Sequence, residues 1–217
     1  TSANYQTVTT ANGTLTITAA TLTITTGTAS KVYDGTPLTK EGSVSGFVTP
    51  TGGEQESADF TVTGTITEVG GPVDNTYTIV FKGEEGATAA ATAVRGDYTI
   101  SATVGTLTVT KSQSSITITA DSDEKTYDGD PLTKSSYTVT VTAADDETIT
   151  ATKQDDGSWK LSTGDIITAE VTGSATHVAD TTTGNNVLAS YTIKDAEGHD
   201  TSANYQTVTT ANGTLTI

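Results

Sequence analysis

The seventeen residues TSANYQTVTTANGTLTI that occupy positions 1–17 recur unchanged at positions 201–217. The offset is 200 residues (201 less 1), and identity of that length implies a parent sequence that continues as copies of a 200-residue unit. Such a chain must fold by a plan that repeats, each copy burying its apolar surface on its own strands and on its neighbours. Inside the unit lies an older, diverged repeat. TLTITTGTASKVYDGTPLTK from Thr21 aligns with SITITADSDEKTYDGDPLTK from Ser115. Farther on, VTGTITEVG from Val62 aligns with VTGSATHVA from Val171, and TYTI from Thr76 with SYTI from Ser190. GDYTISATVGTLTV from Gly96 then aligns with ANYQTVTTANGTLTI from Ala203. The blocks keep one order in both halves. The sequence therefore predicts a domain over residues 18–111 and a second over 112–217, joined by the short polar linker KSQSS. Residues 1–17 read as the terminal hairpin of a preceding repeat.

The apolar residues alternate with threonine in runs such as TLTITT, TLTVT, SITITA and YTVTVTA. Alternation with period two marks strands with one buried face, and threonine, branched at Cβ, suits a pleated, half-exposed surface. Hydrophobic residues make up only 33% of the chain, but a core one side-chain layer deep between two sheets needs fewer than a helical globule does. No segment has helical periodicity. The expected strands lie near 21–26, 30–33, 44–48, 60–68, 75–81, 98–104 and 106–110 in the first half. In the second they lie near 116–120, 125–127, 137–143, 148–153, 159–162, 166–173, 187–193, 204–210 and 214–217. Asp156-Gly157 is a tight-turn signal between two of them. The predicted fold class is all-β, with two tandem immunoglobulin-like β-sandwiches forming part of an elongated rod.

Charge narrows the function. Ten Lys and Arg stand against 26 Asp and Glu, a formal net charge of -16. No basic stripe is available to displace phosphate counterions, which excludes a nucleic-acid partner and disfavours anionic lipid. The chain has no cysteine, so disulfide staples, thiol catalysis and thiolate metal sites are excluded. No apolar run approaches membrane-spanning length, and the N-terminus lacks the layout of a signal peptide. An export signal or anchor would lie outside this sequence, and no membrane insertion is expected within it.

KVYDGTPLT and KTYDGDPLT open the two halves, each followed by a Tyr-Thr-Ile strand and a closing Gly-Thr-Leu-Thr hairpin. In these motifs the chain resembles the YDG and MBG repeat domains found in tandem in large secreted and wall-anchored bacterial proteins, especially of Firmicutes. The resemblance covers nearly all of both halves. It implies an immunoglobulin-like sandwich that serves as a spacer or adhesive module at the cell surface, and supplies no defined ligand. The motif also has a reading of its own. Asp34-Gly35 and Asp128-Gly129 are turn residues, the aspartate accepting nearby backbone N–H groups and the glycine supplying a positive φ. Pro37 and Pro131 fix the exit of the turn, and Tyr33 and Tyr127 are expected to anchor it on the core.

Two kinds of chemistry fit this frame. The first is a Lys–Asp or Lys–Asn isopeptide crosslink between an early and a late strand, which needs an unprotonated lysine and apolar surroundings. Lys31 and Lys125 are equivalent early lysines, while Asp97 and Asn204 are equivalent late positions, so the pairs are Lys31–Asp97 and Lys125–Asn204. No glutamate occupies matching positions in both halves to act as the acid, and a lysine beside an acidic turn commonly pairs with a solvated carboxylate. The second is Ca²⁺, held by Asp121, Asp123, Glu124, Asp128 and Asp130 in ADSDEKTYDGD. Their spacing is not that of an EF-hand, and a solvated acidic loop is the alternative. Catalysis on a substrate is not expected. The two histidines, His177 and His199, have no counterparts in the first half, and no nucleophile or phosphate-binding motif is present. Trp159 and the tyrosines would suit a sugar platform, though single aromatics more often fill a core or its rim.

The sequence thus predicts a non-enzymatic stalk repeat of a bacterial surface adhesin, extracellular, whose partners are neighbouring copies of the same repeat. A weak binding module for a host glycan or protein, multiplied by copy number, is the first alternative. The second is a fibre subunit that self-associates by exchanging residues 1–17 with a neighbour's sheet edge.

Overall fold

The computed structural model describes Thr7 and residues 9–217. Among them the chain is all-β, with seventeen strands, a few short 3-10 turns and no α-helix. Its sheets mix parallel and antiparallel pairs, an arrangement consistent with a β-sandwich. Contacts divide the chain into two compact units. The first comprises Thr1–Thr25, Gly42–Thr61 and Tyr77–Thr103, and the second Thr26–Glu41, Val62–Thr76 and Val104–Ile217. This division differs from that of the sequence repeats, because three segments of the first repeat belong to the second unit.

In the first unit the Ala20–Thr26 strand lies between Gly42–Ser45 and Tyr98–Thr103, running parallel to the latter with Leu22 opposite Ile100. Its threonines at 21, 23 and 25 face solvent while Leu22 and Ile24 are fully buried, the outcome alternation predicts. Phe81, Ala93 and Tyr98 close over Leu22. Arg95 caps this small core, its guanidinium 4.5 Å from the Phe81 ring centroid. The Arg95 hydrogen bond holds the Glu84 carboxyl down at about 2.

The second unit is larger. Ser112–Ala120 is the central strand of a sheet with Tyr137–Thr142 antiparallel on one side and Tyr205–Ala211 parallel on the other. A four-stranded antiparallel sheet runs Ala151–Lys153, Trp159–Leu161, Ile166–Thr172, Val187–Lys194. Asp156-Gly157 makes the expected turn between its first two strands, with Gly157 at φ +87°. Ile116, Ile118, Leu161, Ile167 and Ile193 form one core, and Tyr33 and Val109 from the first repeat belong to it. Trp159 packs at the rim of this core and donates its indole N–H to the Tyr137 carbonyl at 3.2 Å.

Several boundaries differ from the sequence expectation. The expected linker is itself almost all strand, since a single residue, Lys111, lies between the end of Thr106–Thr110 and the start of Ser112–Ala120. Its serines, polar in sequence, are interior in the fold. Ser112 and Ser114 are fully buried, and both hydroxyls donate to Glu147 Oε2 at 2.6 Å. Burial acts to raise the Glu147 carboxyl, yet these hydrogen bonds hold it below the usual range. An unexpected strand, Gly70–Asp74, pairs antiparallel with Thr106–Thr110 across a register shift between Gly70 and Val73. Pro72 reads as a breaker in sequence and is tolerated because it falls at that irregularity. The strand expected at 125–127 forms instead at Asp123–Glu124, parallel to Leu215–Thr216. The hairpin expected over residues 1–17 lies partly outside the described residues. Residues 9–19 hold no strand, and Leu15 and Ile17 are exposed.

The two repeats share an internal brace. Asn75 and Asn186, both fully buried, each donate Nδ2 to two backbone carbonyls. Asn75 reaches Gly27 and Lys40, and Asn186 reaches Asp121 and Lys134. Those acceptors stand at equivalent positions, so the diverged repeats keep one hydrogen-bonding plan.

Candidate functional site

The YDG turns form the same corner twice within the second unit. Asp34 Oδ1 accepts the Thr36 N–H at 2.8 Å, and Asp128 Oδ1 accepts the Asp130 N–H at 3.0 Å. Gly35 and Gly129 have φ of +78° and +92°, a region that L-residues avoid and glycine enters freely. Lys31 and Lys125 bind the aspartates of their own turns at 2.5 Å and 2.7 Å. Each corner is closed by a bridge, Leu38 to Ile66 in one and Leu132 to Ala175 in the other.

The corners differ in what lies against them. Tyr33 is 3% exposed, whereas Tyr127, expected in the same role, is 54% exposed and stacks on His177 at 5.9 Å between centroids. Tyr33 meets groups from the second repeat. Its hydroxyl donates to Asp165 Oδ2 at 3.0 Å, and the Tyr205 hydroxyl donates to the same oxygen. The Thr163 and Tyr205 hydroxyls are 2.7 Å apart. The two tyrosine rings meet edge to face at 5.7 Å. Asp165 is only 2% exposed, so its carboxylate is satisfied by protein hydroxyls in place of water. Beside this knot Asn204, also buried, donates Nδ2 to Glu68 Oε2 and accepts the Val69 N–H on Oδ1 at 3.0 Å.

Burial, reinforced by the Asp165 carboxylate, pushes both tyrosine hydroxyls far above their usual range. They remain donors throughout the neutral range. A tyrosine whose folded pKa is raised contributes stability that is full below its unfolded value and is lost as pH rises beyond it. The denaturation midpoint is therefore expected to fall above about pH 10, more steeply in the wild type than in a Tyr33→Phe/Tyr205→Phe variant. Parallel pH profiles for the two proteins would contradict this role for the hydroxyls.

The residues expected to crosslink are engaged elsewhere. Asn204 is held by Glu68 and Val69, and Lys125 by Asp128, with no hydrogen bond between Lys125 and Asn204. Lys31 lies in the second unit, bonded to its own turn, and Asp97 lies in the first, closing a 3-10 turn onto Val94. Of the acids expected to hold Ca²⁺, Asp121 accepts the Ser136 and Thr138 hydroxyls, while Asp123 pairs with Lys134. Among the described residues no three acidic or histidine side chains gather into a metal-holding group. An open hollow beside the Tyr33 corner is lined by Asp34, Asp146, Glu147, Ser162 and Thr163, with no cationic or histidine side chain in its lining. Pro37 and Pro131 follow their turns in exposed positions.

Sequence reasoning passed over Asp165, Glu68 and Tyr205. Their signal was present in the register that aligns Val62 with Val171, which also sets Glu56 against Asp165 and Glu68 against His177. In the first unit Tyr98 donates to Glu56 Oε2 as Tyr205 does to Asp165, and also accepts the Val48 N–H at 3.0 Å. The acid–tyrosine pair is thus built in both repeats. No family model matches the chain, and neither a curated protein nor a solved structure matches it.

Proposed function

We propose that this chain is a structural spacer, a stretch of the stalk of a bacterial surface adhesin that holds a separate binding domain away from the cell. In this reading it is extracellular, its partners are further copies of itself, it carries no catalytic role, and its repeats are immunoglobulin-like sandwiches in series. The observation that carries it is the Tyr33 corner. A turn of one sequence repeat is sunk in a core made by the next, and a single residue, Lys111, separates the strands that pass from one repeat to the other. A junction tied by a buried acid, two tyrosines and two strands only one residue apart resists bending, the property a spacer needs and a flexible tether lacks. The acidic surface adds self-repulsion between neighbouring stalks.

Small-angle scattering on chains of one, two and three 200-residue units tests the reading. The maximum dimension is expected to rise by a constant increment per unit. Growth closer to the square root of copy number, the behaviour of a flexible coil, would refute it.

A further inference from the structure

We infer that the exposed Tyr127–His177 corner is a docking surface for a second copy of this repeat unit, and that it is received by the Glu56–Asp97–Tyr98 face of that copy. The inference rests on the spacer reading and adds to it the residues that join one unit to the next.

The Tyr33 corner supplies the template. There Tyr33 donates to an acid that a tyrosine also holds, Asp165 with Tyr205. Val69 packs on the same core and gives its N–H to Asn204. Gly35 lies so close to the Thr163 carbonyl that a Cβ would stand 1.8 Å from it. At the second corner every counterpart is bare. Tyr127 is 54% exposed, Val178, the counterpart of Val69, is 66% exposed, and nothing lies within 4 Å of a Cβ on Gly129. Two large apolar side chains beside an unfilled turn form a surface built to be covered.

The receiving face is present in the first unit. Tyr98 and Glu56 repeat the Tyr205–Asp165 pair, and an open pocket beside them is lined by Ile17, Ala20, Val48, Glu56, Asp97 and Tyr98. Asp165 has Tyr33 as its second donor, and Glu56 would take the Tyr127 hydroxyl in the same way.

The polar pair at the side of the joint identifies the partner. At the internal junction an acid meets an amide, Glu68 accepting from Asn204. At the proposed one both positions differ, and they differ together: His177 stands where Glu68 does, and Asp97 where Asn204 does. One Asp97 oxygen would accept the Val178 N–H as Asn204 Oδ1 accepts that of Val69, and the other would accept from the imidazole. The exchange keeps donor against acceptor, whereas Glu68 against Asp97 would oppose two carboxylates. The two surfaces are different, so the contact is heterologous and can propagate along an array.

The test is sedimentation of the 217-residue chain over a wide concentration range, at about 0.15 M salt to screen the long-range repulsion. The wild type is expected to associate. Tyr127→Ala and His177→Glu, both at exposed positions that leave the cores untouched, should each weaken association about tenfold or more. Adding Asp97→Asn to His177→Glu should restore it, because the pair then matches the internal junction. A wild type that stays monomeric, or a His177→Glu chain that associates as well as the wild type, overturns the inference. Association that ignores His177→Glu but disappears when residues 1–17 are deleted also overturns it and assigns the contact to strand exchange. The rescue reads the docking residues alone, whereas the scattering experiment reads stiffness, so failure of one is distinguishable from failure of the other.

Discussion

Gly35→Ala is expected to destabilise the protein by about 3–5 kcal/mol, and Gly129→Ala by only about 1–2 kcal/mol, although the two glycines occupy the same turn of the same motif. Both sit at positive φ, so each substitution carries the penalty of placing an L-residue in the left-handed region. Only at position 35 does the new methyl also meet backbone, the Thr163 carbonyl carbon and oxygen, which cannot swing aside as a flexible side chain would. Relief would require the Tyr33 corner to lift from its seat, and that would uncover the Tyr33 ring and break its hydrogen bond to Asp165. Guanidinium denaturation of the two variants beside the wild type measures the difference. Equal losses would mean that Gly35 is chosen for turn geometry alone and that the corner is not tightly seated.

Asp165→Ala is expected to cost roughly 2–4 kcal/mol, as two buried tyrosine hydroxyls lose their shared acceptor and each unsatisfied group costs about 1–3 kcal/mol. Tyr205 retains its contact with Thr163, and Tyr33 retains only the side-chain amide of Asn204 beside its hydroxyl. Asp165→Asn keeps a carbonyl acceptor and should lose about half as much. A double-mutant cycle between Asp165→Ala and Tyr33→Phe should return a coupling of about 1 kcal/mol or more. Additive effects would show that the tyrosine is held by packing and that the hydroxyl contributes nothing.

Most of the strands were legible because threonine and isoleucine alternate strictly, and a period of two leaves little choice of face. Ser112–Ala120 illustrates the limit. Its second half, SITITA, shows the alternation, while its first half is polar, and in sequence a buried serine looks the same as a solvated one. Only Glu147, more than thirty residues away in the chain, distinguishes them. Gly70–Asp74 escaped for a related reason, since Gly-Gly-Pro signals a break wherever pairing is unknown. The site was half legible. The YDG corners could be read as turns, with the roles of Asp34 and Gly35 set by local backbone chemistry. Tyr33 is buried and Tyr127 exposed because Asp165 and Tyr205, distant in sequence, pack against one corner and not the other. The two motifs are too alike to reveal that difference. The change from Asn204 to Asp97 was visible as an isolated difference. It acquired meaning only when the structure placed Glu68 against Asn204, making the matching change from Glu68 to His177 its counterpart.

The Glu68–Asn204 contact also bears on how a gene of this kind lengthens. If His177 faces Asp97 as Glu68 faces Asn204, the two kinds of joint must alternate along the array. Recombination that gained or lost a single repeat would bring Glu68 to face Asp97, two acids with no donor between them, or His177 to face Asn204, and neither is a pair that the alternating array contains. Gains and losses of whole pairs leave every joint as it was. The allele length would then be quantised in steps of two repeats, which is the step at which the present sequence returns verbatim, 200 residues on.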